Sequence, residues 1–580
     1  MEMMRSQAVL EASRREIREV SFPTDRSGVP LKISEFFGEN VFNVLHAQEI
    51  PAEHREKISE FISSDEKQLP KELAEIIANA VIDWAMSKGV THYCHWFWPL
   101  TESSAEKHDA FLDLDKGRPI ECLSAGQLIK GEPDASSFPS GGMRSTFEAR
   151  GYTTWDLSSN MFIMEGASGK TLYIPTAFFS YLGDALDKKI PLLRSTERLS
   201  LVMTELLQLM GHKEVKKVDV NLGPEQEYFL VDKSFYYQRP DLIMTDRTLI
   251  GSLPAKNQQL EDHYFGAIDQ RVLSMMQELE LELYKLGIPA KTRHNEVAPS
   301  QYELACIYQE ANMATDQNQV TMTVLKNVAS RHGFVALLHE KPYQGINGSG
   351  KHLNWSMCDN TGHNLLSPGQ TNEERLLFLF MVAITQKAVY LHNDAIRMSI
   401  ATHSNDLRLG GHEAPPSIIS VYLGDMLPKL FGRLKEDENA DLSIDEKRLL
   451  SLGTEKLSYV LADNSDRNRT SPFAFTGNKF ELRAAGSSCN PALPITILNA
   501  AVANVASEAT GRLKEMLSSG VELNTAIRKL TLSLYEESEK IIFNGNGYTE
   551  EWVKEAEKRG LAHFKNTVEA LEVLQDKNRY

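Results

Sequence analysis

The chain has 580 residues and a mass of 65.2 kDa, well beyond the roughly 100–200 residues of one domain, so two or more domains around a large buried core are expected. Apolar residues at 42% and charged residues at 24% exclude a fibrous, collagen-like or disordered chain. With 62 basic against 79 acidic side chains, net −17, the chain repels phosphate backbones and anionic bilayers, so neither nucleic acid nor membrane is an expected partner.

From the start, MEMMRSQAVLEASRREIREV places charges where a signal peptide needs an apolar stretch, and residues 10–20 read as a short charged helix. Residues 71–88 have the spacing of an amphipathic helix, and THYCHWFWPL reads as an aromatic strand. His92, Cys94 and His95 fall inside that run, where side chains alternate sides, so they are not expected to converge on a metal. The Gly, Ser and Pro of PDASSFPSGGM mark a loop, followed by FEARGYTTWD and strands at 161–164 and 171–174. A helical pattern begins near Leu192 and stops at Gly211, which places a domain boundary at Lys189 and divides the chain into 1–189 and 190–580. Beyond it, strands at 215–222, 225–231, 352–357 and 479–483 alternate with helices at 263–286, 312–329, 373–398 and 495–517, and 550–574 is helical in pattern. The apolar run LLFLFMVAITQKAVYL is broken by Gln386 and Lys387 before it reaches spanning length. Five scattered cysteines without a C-x-x-C pair fit a reducing compartment. A cytoplasmic α+β protein is expected, with a large second domain whose site is built on strands and surrounded by helices.

Carboxylates carry the most information. In LGPEQEYFLV, strand alternation sends Glu225 and Glu227 to one side, about 7 Å apart, while Tyr228, Leu230 and Val231 mark a strand with little exposure. Two acids in such a place require a cation. HNEVAPSQYELACI adds Glu296 and Glu303 on either side of the break at Pro299, and NKFELRAAG adds Glu481 and Arg483 on the face opposite Phe480 and Leu482. Two Mg²⁺ or Mn²⁺ ions, each taking one to three carboxylates with waters and phosphate oxygens, would account for five acids in three apolar contexts.

GINGSGKHLNWS nearly spells a phosphate-binding P-loop, but His352 stands where a Ser or Thr would hold Mg²⁺ and the next residues alternate like a strand. It reads instead as a glycine turn approaching a small substrate, followed by a strand that aims His352, Asn354 and Ser356 to one face, with His352 a candidate metal ligand. DRNRTSPFAF offers Arg467 and Arg469 for phosphate oxygens, a solvated loop being the other reading of that segment. NDLRLGGHEAPPS carries Arg408 and Glu413 around Gly410 and Gly411, a loop able to close over a site.

In order along the chain, GPEQEYF, NEVAPSQYE, NGSGKHLNWS, LRLGGHEAP, NRTSPFAF and FELR resemble the glutamine synthetase family, and AEKHDAFLDL, FEARGYTTWD and GNKFELRAAGSS resemble its type III branch. The resemblance implies a small N-terminal β-grasp-like domain, a large catalytic domain with a curved antiparallel sheet, and a dodecamer of two stacked hexameric rings with sites between subunits. It implies ATP with Mg²⁺ or Mn²⁺, and synthesis of glutamine from glutamate and ammonia through γ-glutamyl phosphate. The alternatives are a γ-glutamyl ligase for another amine, or a catalytically silent scaffold or regulator.

Residue by residue, the resemblance makes Glu227, Glu296 and Glu303 ligands of the metal on the glutamate side, and Glu225, His352 and Glu481 ligands of the metal on the ATP side. Asn347 and Gly348 match the glutamate-holding turn, Arg408 and Arg483 the arginines near carboxylates and transferred phosphate, and Ser356 a nucleotide contact. Arg467 and Arg469 match the phosphate-stabilising arginine region, and Glu413 the flap glutamate. The family's Asp-Gly-Ser-Ser, whose aspartate helps bind ammonium, has no literal match; Glu148 is expected to replace it, with Asp156 read as a solvated turn or cap. The step from Arg408 to Glu413 is one residue shorter than in better-known branches, and the chain is expected to end earlier than type III relatives.

Overall fold

The computed structural model describes residues 2–63, 69–101, 103–131, 151–180, 182–252, 257–437, 440–443, 449–450, 454, 456–458, 460–461 and 468–575. Helices and largely antiparallel sheets are mixed along the chain. A smaller sheet near the N-terminus runs, in spatial order, Val41–Phe42, Met161–Gly166, Gly169–Ser180, His92–Phe97 and Ala105–Ala110. His92–Phe97 lies parallel to Gly169–Ser180, and the other pairs are antiparallel. Helix Lys71–Ser87 carries Ile77, Val81 and Trp84 at helical spacing and buries them with Met161, Ile163, Leu172 and Ile174 on one sheet face. The opposite face, with Trp96, Phe162 and Tyr173, merges into the main core.

The larger sheet has the order Ala290–Asn295, Gln301–Cys306, Val218–Asp232, Lys351–Asp359, Phe480–Leu482, Phe473–Phe475 and Val421–Tyr422, with two short strands added to the edges of Val218–Asp232. The expected pair of strands at 215–222 and 225–231 is one continuous strand, Val218–Asp232. Pro224, which has no N–H, falls in the gap on one side between the partners of residues 221–222 and those of residues 225–229, so no ladder on that side is interrupted. Helix Ala492–Ser518 is long and apolar enough to cross a membrane by composition, but it packs on Lys189–Leu209 and Asn372–Leu391 with its apolar side chains in the core.

Several helix expectations are corrected. The first helix is Glu2–Ser13, because Arg15 and Arg18 are drawn out to Asp232 and Glu278. The expected 263–286 helix begins at Gln270, capped by Asp269; the preceding residues are held by Asn295 Nδ2, which donates to the carbonyls of His263 and Gly266 at 3.0 and 3.2 Å. Residues 373–398 form two helices, Asn372–Leu391 and Asn393–Ser399, bent by 76°. Helix Glu550–Arg559 ends at Gly560 in the left-handed conformation (φ 74°), and a separate short helix, Thr567–Leu571, follows.

Candidate metal and active site

Strand register assembles the floor of the site. Glu225 lies opposite His352, and Glu481 opposite Asn354. On the other flank Glu227 lies opposite Glu303, which lies opposite His294. Directly paired residues share a sheet face and every second residue recurs on it, so acids and imidazoles from five adjacent strands meet on one surface. Glu296 joins from the turn after Asn295, where its carboxylate accepts the Val297 N–H at 3.0 Å. Ser300, with a left-handed backbone (φ 62°), closes that turn.

Two groups result. Ligand atoms of Glu225, His352 and Glu481 lie within 4.8 Å of one another, as do those of His294, Glu296 and Glu303. His352 Nδ1 is 3.1 Å from Glu225 Oε2 and 3.3 Å from Glu481 Oε1; Asn354 Nδ2 donates to Glu225 Oε1 at 2.9 Å. Glu227 stands between the groups: Oε1 is 3.9 Å from His352 Nε2, and Oε2 accepts the Gly350 N–H at 2.7 Å. Sequence reasoning missed His294, which stands with Glu296 and Glu303 as the third member of that group. Its segment, AKTRHN, is polar and half-exposed, and only the pairing with Glu303 reveals it.

The electrostatics show how crowded this surface is. Burial, then the Glu227 and Glu303 charges, push the Glu296 carboxyl up to about 9. Glu303 is also raised by burial and by Glu225 and Glu227, against the hydrogen bond from His294. Burial and Arg483 push His352 down, yet Glu225 and Glu481 outweigh them and lift it to about 10. The hydrogen bond to Glu303 lifts His294 to about 9. Glu296 and Glu303 are driven toward their neutral forms, so protons supply part of the positive charge this surface lacks. Oxygen and imidazole donors converging under this charge pressure fit oxygen-seeking divalent cations at both groups.

The glycine turn sits against this floor. A Cβ on Gly348 would stand 2.4 Å from the Glu340 backbone carbonyl, so close packing dictates that glycine, and Gly350 packs directly beneath the Arg408 guanidinium. Gln301, fully buried, donates to the Gly348 carbonyl at 2.9 Å and to Ser349 Oγ at 3.1 Å, and Asn347 Nδ2 donates back to Gln301 Oε1 at 3.3 Å. As the sequence indicates, residue 351 opens a strand and no P-loop helix. Ser356 is buried two residues beyond Asn354 on the same face.

Arg483 donates to Glu481 Oε1 at 3.0 Å. Arg408 is buried, and its guanidinium donates to the Ala485 and Arg483 carbonyls, each at 3.2 Å; it stiffens the chain beside Gly350, and its fork faces backbone. In the flap His412 and Glu413 have left-handed backbones (φ 51° and 69°), and Glu413 is ion-paired with Arg469. Tyr548, which no spacing argument picks out, lies close enough to Glu413, Arg483 and Arg408 to feel all three charges, while burial raises its phenol. Tyr264 likewise senses Glu296, Arg469 and Glu413.

Glu148 and Arg467 lie outside the described residues. Asp156 does cap a turn, accepting the Ser158 N–H at 2.9 Å, but it is buried and not solvated: Asn312 Nδ2 donates to it at 2.8 Å and Lys189 Nζ lies 3.0 Å away. His95 is buried and bonded to Thr153 Oγ1 and the Gln127 carbonyl, at 2.9 and 2.8 Å. Cys94 turns to Glu106 and His108 on the neighbouring strand, so His92, Cys94 and His95 do not converge.

The fold and this acidic floor define a class of protein with two side-chain groups suited to divalent cations on an antiparallel sheet, and comparisons with known proteins narrow it. Residues 33–195 match the family described as glutamine synthetase type III N terminal, residues 202–383 the glutamine synthetase catalytic domain, and residues 526–580 the glutamine synthetase C-terminal domain. The chain is 46% identical to a glutamine synthetase of Bacteroides fragilis (strain YCH46), covering 98% of this chain and 77% of that one. It is 44% identical to the type-3 glutamine synthetase of Dictyostelium discoideum, covering 93% and 73%. A solved apo GmaS without ligand matches at a TM-score of 0.47 and 16% identity, covering 85% of this chain and 96% of that one. The chain belongs to the glutamine synthetase family, type III branch.

Proposed function

We propose that the protein is a glutamate–ammonia ligase that forms glutamine from glutamate, ammonia and ATP. The observation that carries this reading is the joining of two metal-type side-chain groups, a glycine turn and a glutamate-bearing flap around one sheet surface. A γ-carboxylate oxygen of glutamate attacks the γ-phosphorus of ATP and ADP leaves; ammonium then gives up a proton, the resulting ammonia attacks the acyl carbon, phosphate leaves, and the nitrogen sheds a second proton to give the amide. Mg²⁺ or Mn²⁺ held by Glu225, His352 and Glu481, and by Glu227, Glu296 and Glu303 with His294 alongside, would neutralise charge on the phosphoryl oxygens.

This chain's own groups do the rest. Asn347 and Gly348 hold glutamate, and Arg483 faces the carboxylates and the transferred phosphate. Arg408 is assigned to keep the neighbouring backbone in place, given its carbonyl partners. Arg467 and Arg469 serve phosphate oxygens, Ser356 the nucleotide. Glu413 closes the flap, excluding water that would hydrolyse the acyl phosphate. Glu148 is kept as the candidate ammonium acid. The reading divides the chain at 189 into a small β-grasp-like domain and a catalytic domain. It places the protein in the cytoplasm as a homo-oligomer, a dodecamer of two stacked hexamers.

The test is ATP- and Mg²⁺-dependent phosphate and glutamine formation from glutamate, with ammonium compared against larger amines. Glutamine formed with ammonium supports the reading. A product only with a larger amine, or none at all, overturns it.

A further inference from the structure

Two strained segments face each other at the mouth of the site. Leu260 and Glu261 have left-handed backbones (φ 54° and 52°), as do His412 and Glu413 of the flap (φ 51° and 69°). Such conformations are uncommon in non-glycine residues and gather at clamps and switches. One side chain, Gln258, touches both the flap and the glycine turn. Its Oε1 accepts the Asn347 backbone N–H at 2.8 Å, and its Nε2 lies 3.3 Å from His412 Nδ1.

The polarity of this relay is fixed from one end. A backbone N–H can only donate, so Asn347 holds the amide oxygen of Gln258 toward the turn and leaves its NH₂ facing the flap. His412 must then offer a lone pair at Nδ1, with its proton on Nε2. Burial and the Lys341 ammonium push the His412 imidazole toward the neutral form, in keeping with that role. Flipping either group would set donor against donor. The contact to the residue beside Glu413 therefore depends on where the Asn347 backbone sits.

We propose that Gln258 is a positioning residue that ties closure of the flap at His412 and Glu413 to the geometry of the glutamate-holding turn at Asn347, so that the acyl phosphate is shielded from water only while the turn is engaged. This rests on the turn and flap roles given above, and it adds a link between them. Gln258 touches no reacting atom. It acts through Asn347 on one side and His412 on the other.

The experiment measures phosphate and glutamine in the same reaction for the full chain with Mg²⁺, ATP, glutamate and ammonium, in wild type, Gln258→Ala, His412→Ala, the double variant and Glu413→Ala. If the link exists, Gln258→Ala and His412→Ala each raise phosphate released per glutamine by about two-fold or more, and the double variant is no worse than the worse single, because both cut one connection. A merely structural loss would lower both products in proportion. Retained one-to-one coupling in Gln258→Ala, or independent effects that multiply in the double variant, overturns the proposal. With coupling retained in Gln258→Ala, uncoupling in Glu413→Ala leaves the flap reading standing alone, and coupling retained in both removes the flap reading as well.

Discussion

Glu296 shows what a single residue can report. Its carboxyl is held up to about 9 by burial and by Glu227 and Glu303, while His294 and His352 are held at about 9 and about 10 by their carboxylate neighbours. Near neutral pH these groups therefore carry protons that a divalent cation must expel. Metal affinity should rise as pH rises through roughly 7 to 9, with protons released on binding. Mg²⁺ titrations by calorimetry in two buffers of different ionisation heat check this, and a proton count of zero would remove these residues from the metal sites. Glu296→Ala should abolish glutamine formation while leaving a soluble fold if, as proposed, the side chain serves as a ligand and not a packing group. The ammonium acid is a second single-residue question. With Asp156 bound to Lys189 and Asn312, Glu148 has a different rival: Asp134, which opens Asp134-Ala135-Ser136-Ser137, one substitution from Asp-Gly-Ser-Ser. Glu148→Gln should raise the ammonium requirement steeply with little change toward ATP or glutamate. If Asp134→Asn does so instead, the assignment moves there.

Elements differ in how well the sequence announces them. The acids of Val218–Asp232 and the His352 strand were legible because alternation puts Glu225 with Glu227, and His352 with Asn354, on one face, and a sheet surface keeps that order. His294, Gln258 and Tyr548 were not legible, because each reaches the site by register or loop packing between distant segments, which no local period encodes. The start of helix Gln270–Lys285 was misread for a related reason: the preceding turn is held by Asn295, a tertiary contact. Local pattern also failed for the first helix, where Arg15 and Arg18 leave helical geometry to reach Asp232 and Glu278. Burial raises both acids, but Arg15, Ser234 and Arg271 hold Asp232 at about 2, and His332, Arg331 and Arg18 hold Glu278 at about 2. A carboxyl whose pKa falls on folding stabilises the fold above its unfolded value near 4 and loses that stabilisation as pH falls toward 2. Thermal melts from about pH 5 down to 3 should show wild type losing stability faster than Glu278→Gln. Parallel curves would mean that this clasp contributes nothing.

Across the whole molecule, the small sheet is joined to helices Lys189–Leu209 and Ala311–Arg331 by a buried charge cluster as well as by apolar packing. Lys189, fully buried at the start of its helix, donates to both oxygens of Asp316 at 3.0 and 2.8 Å and to Ser159 Oγ at 3.1 Å, and lies 4.6 Å from the Trp98 ring centroid. Asp156, on the other side, is also within 3.0 Å. Two carboxylates thus share one ammonium. Burial raises Asp156, but Lys189 and the surrounding donors bring it down to about 2, whereas burial leaves Asp316 raised. Removing one partner from such a cluster strands the others: Lys189→Met should destabilise the protein by about 3–5 kcal/mol. A neutral, shape-matched set, Lys189→Met with Asp156→Asn and Asp316→Asn, should recover much of that loss, because the stranded charges are gone too. The consequence reaches function. Asp156 immediately follows the strand Gly151–Trp155, which continues directly from the stretch carrying Asp134 and Glu148. A loosened cluster should therefore raise the ammonium requirement at temperatures where the fold is still intact. Urea melts paired with ammonium titrations of Lys189→Met separate the two effects; full stability in that variant would sink the joining role, and lost stability with unchanged ammonium dependence would confine it to holding the small sheet against these helices.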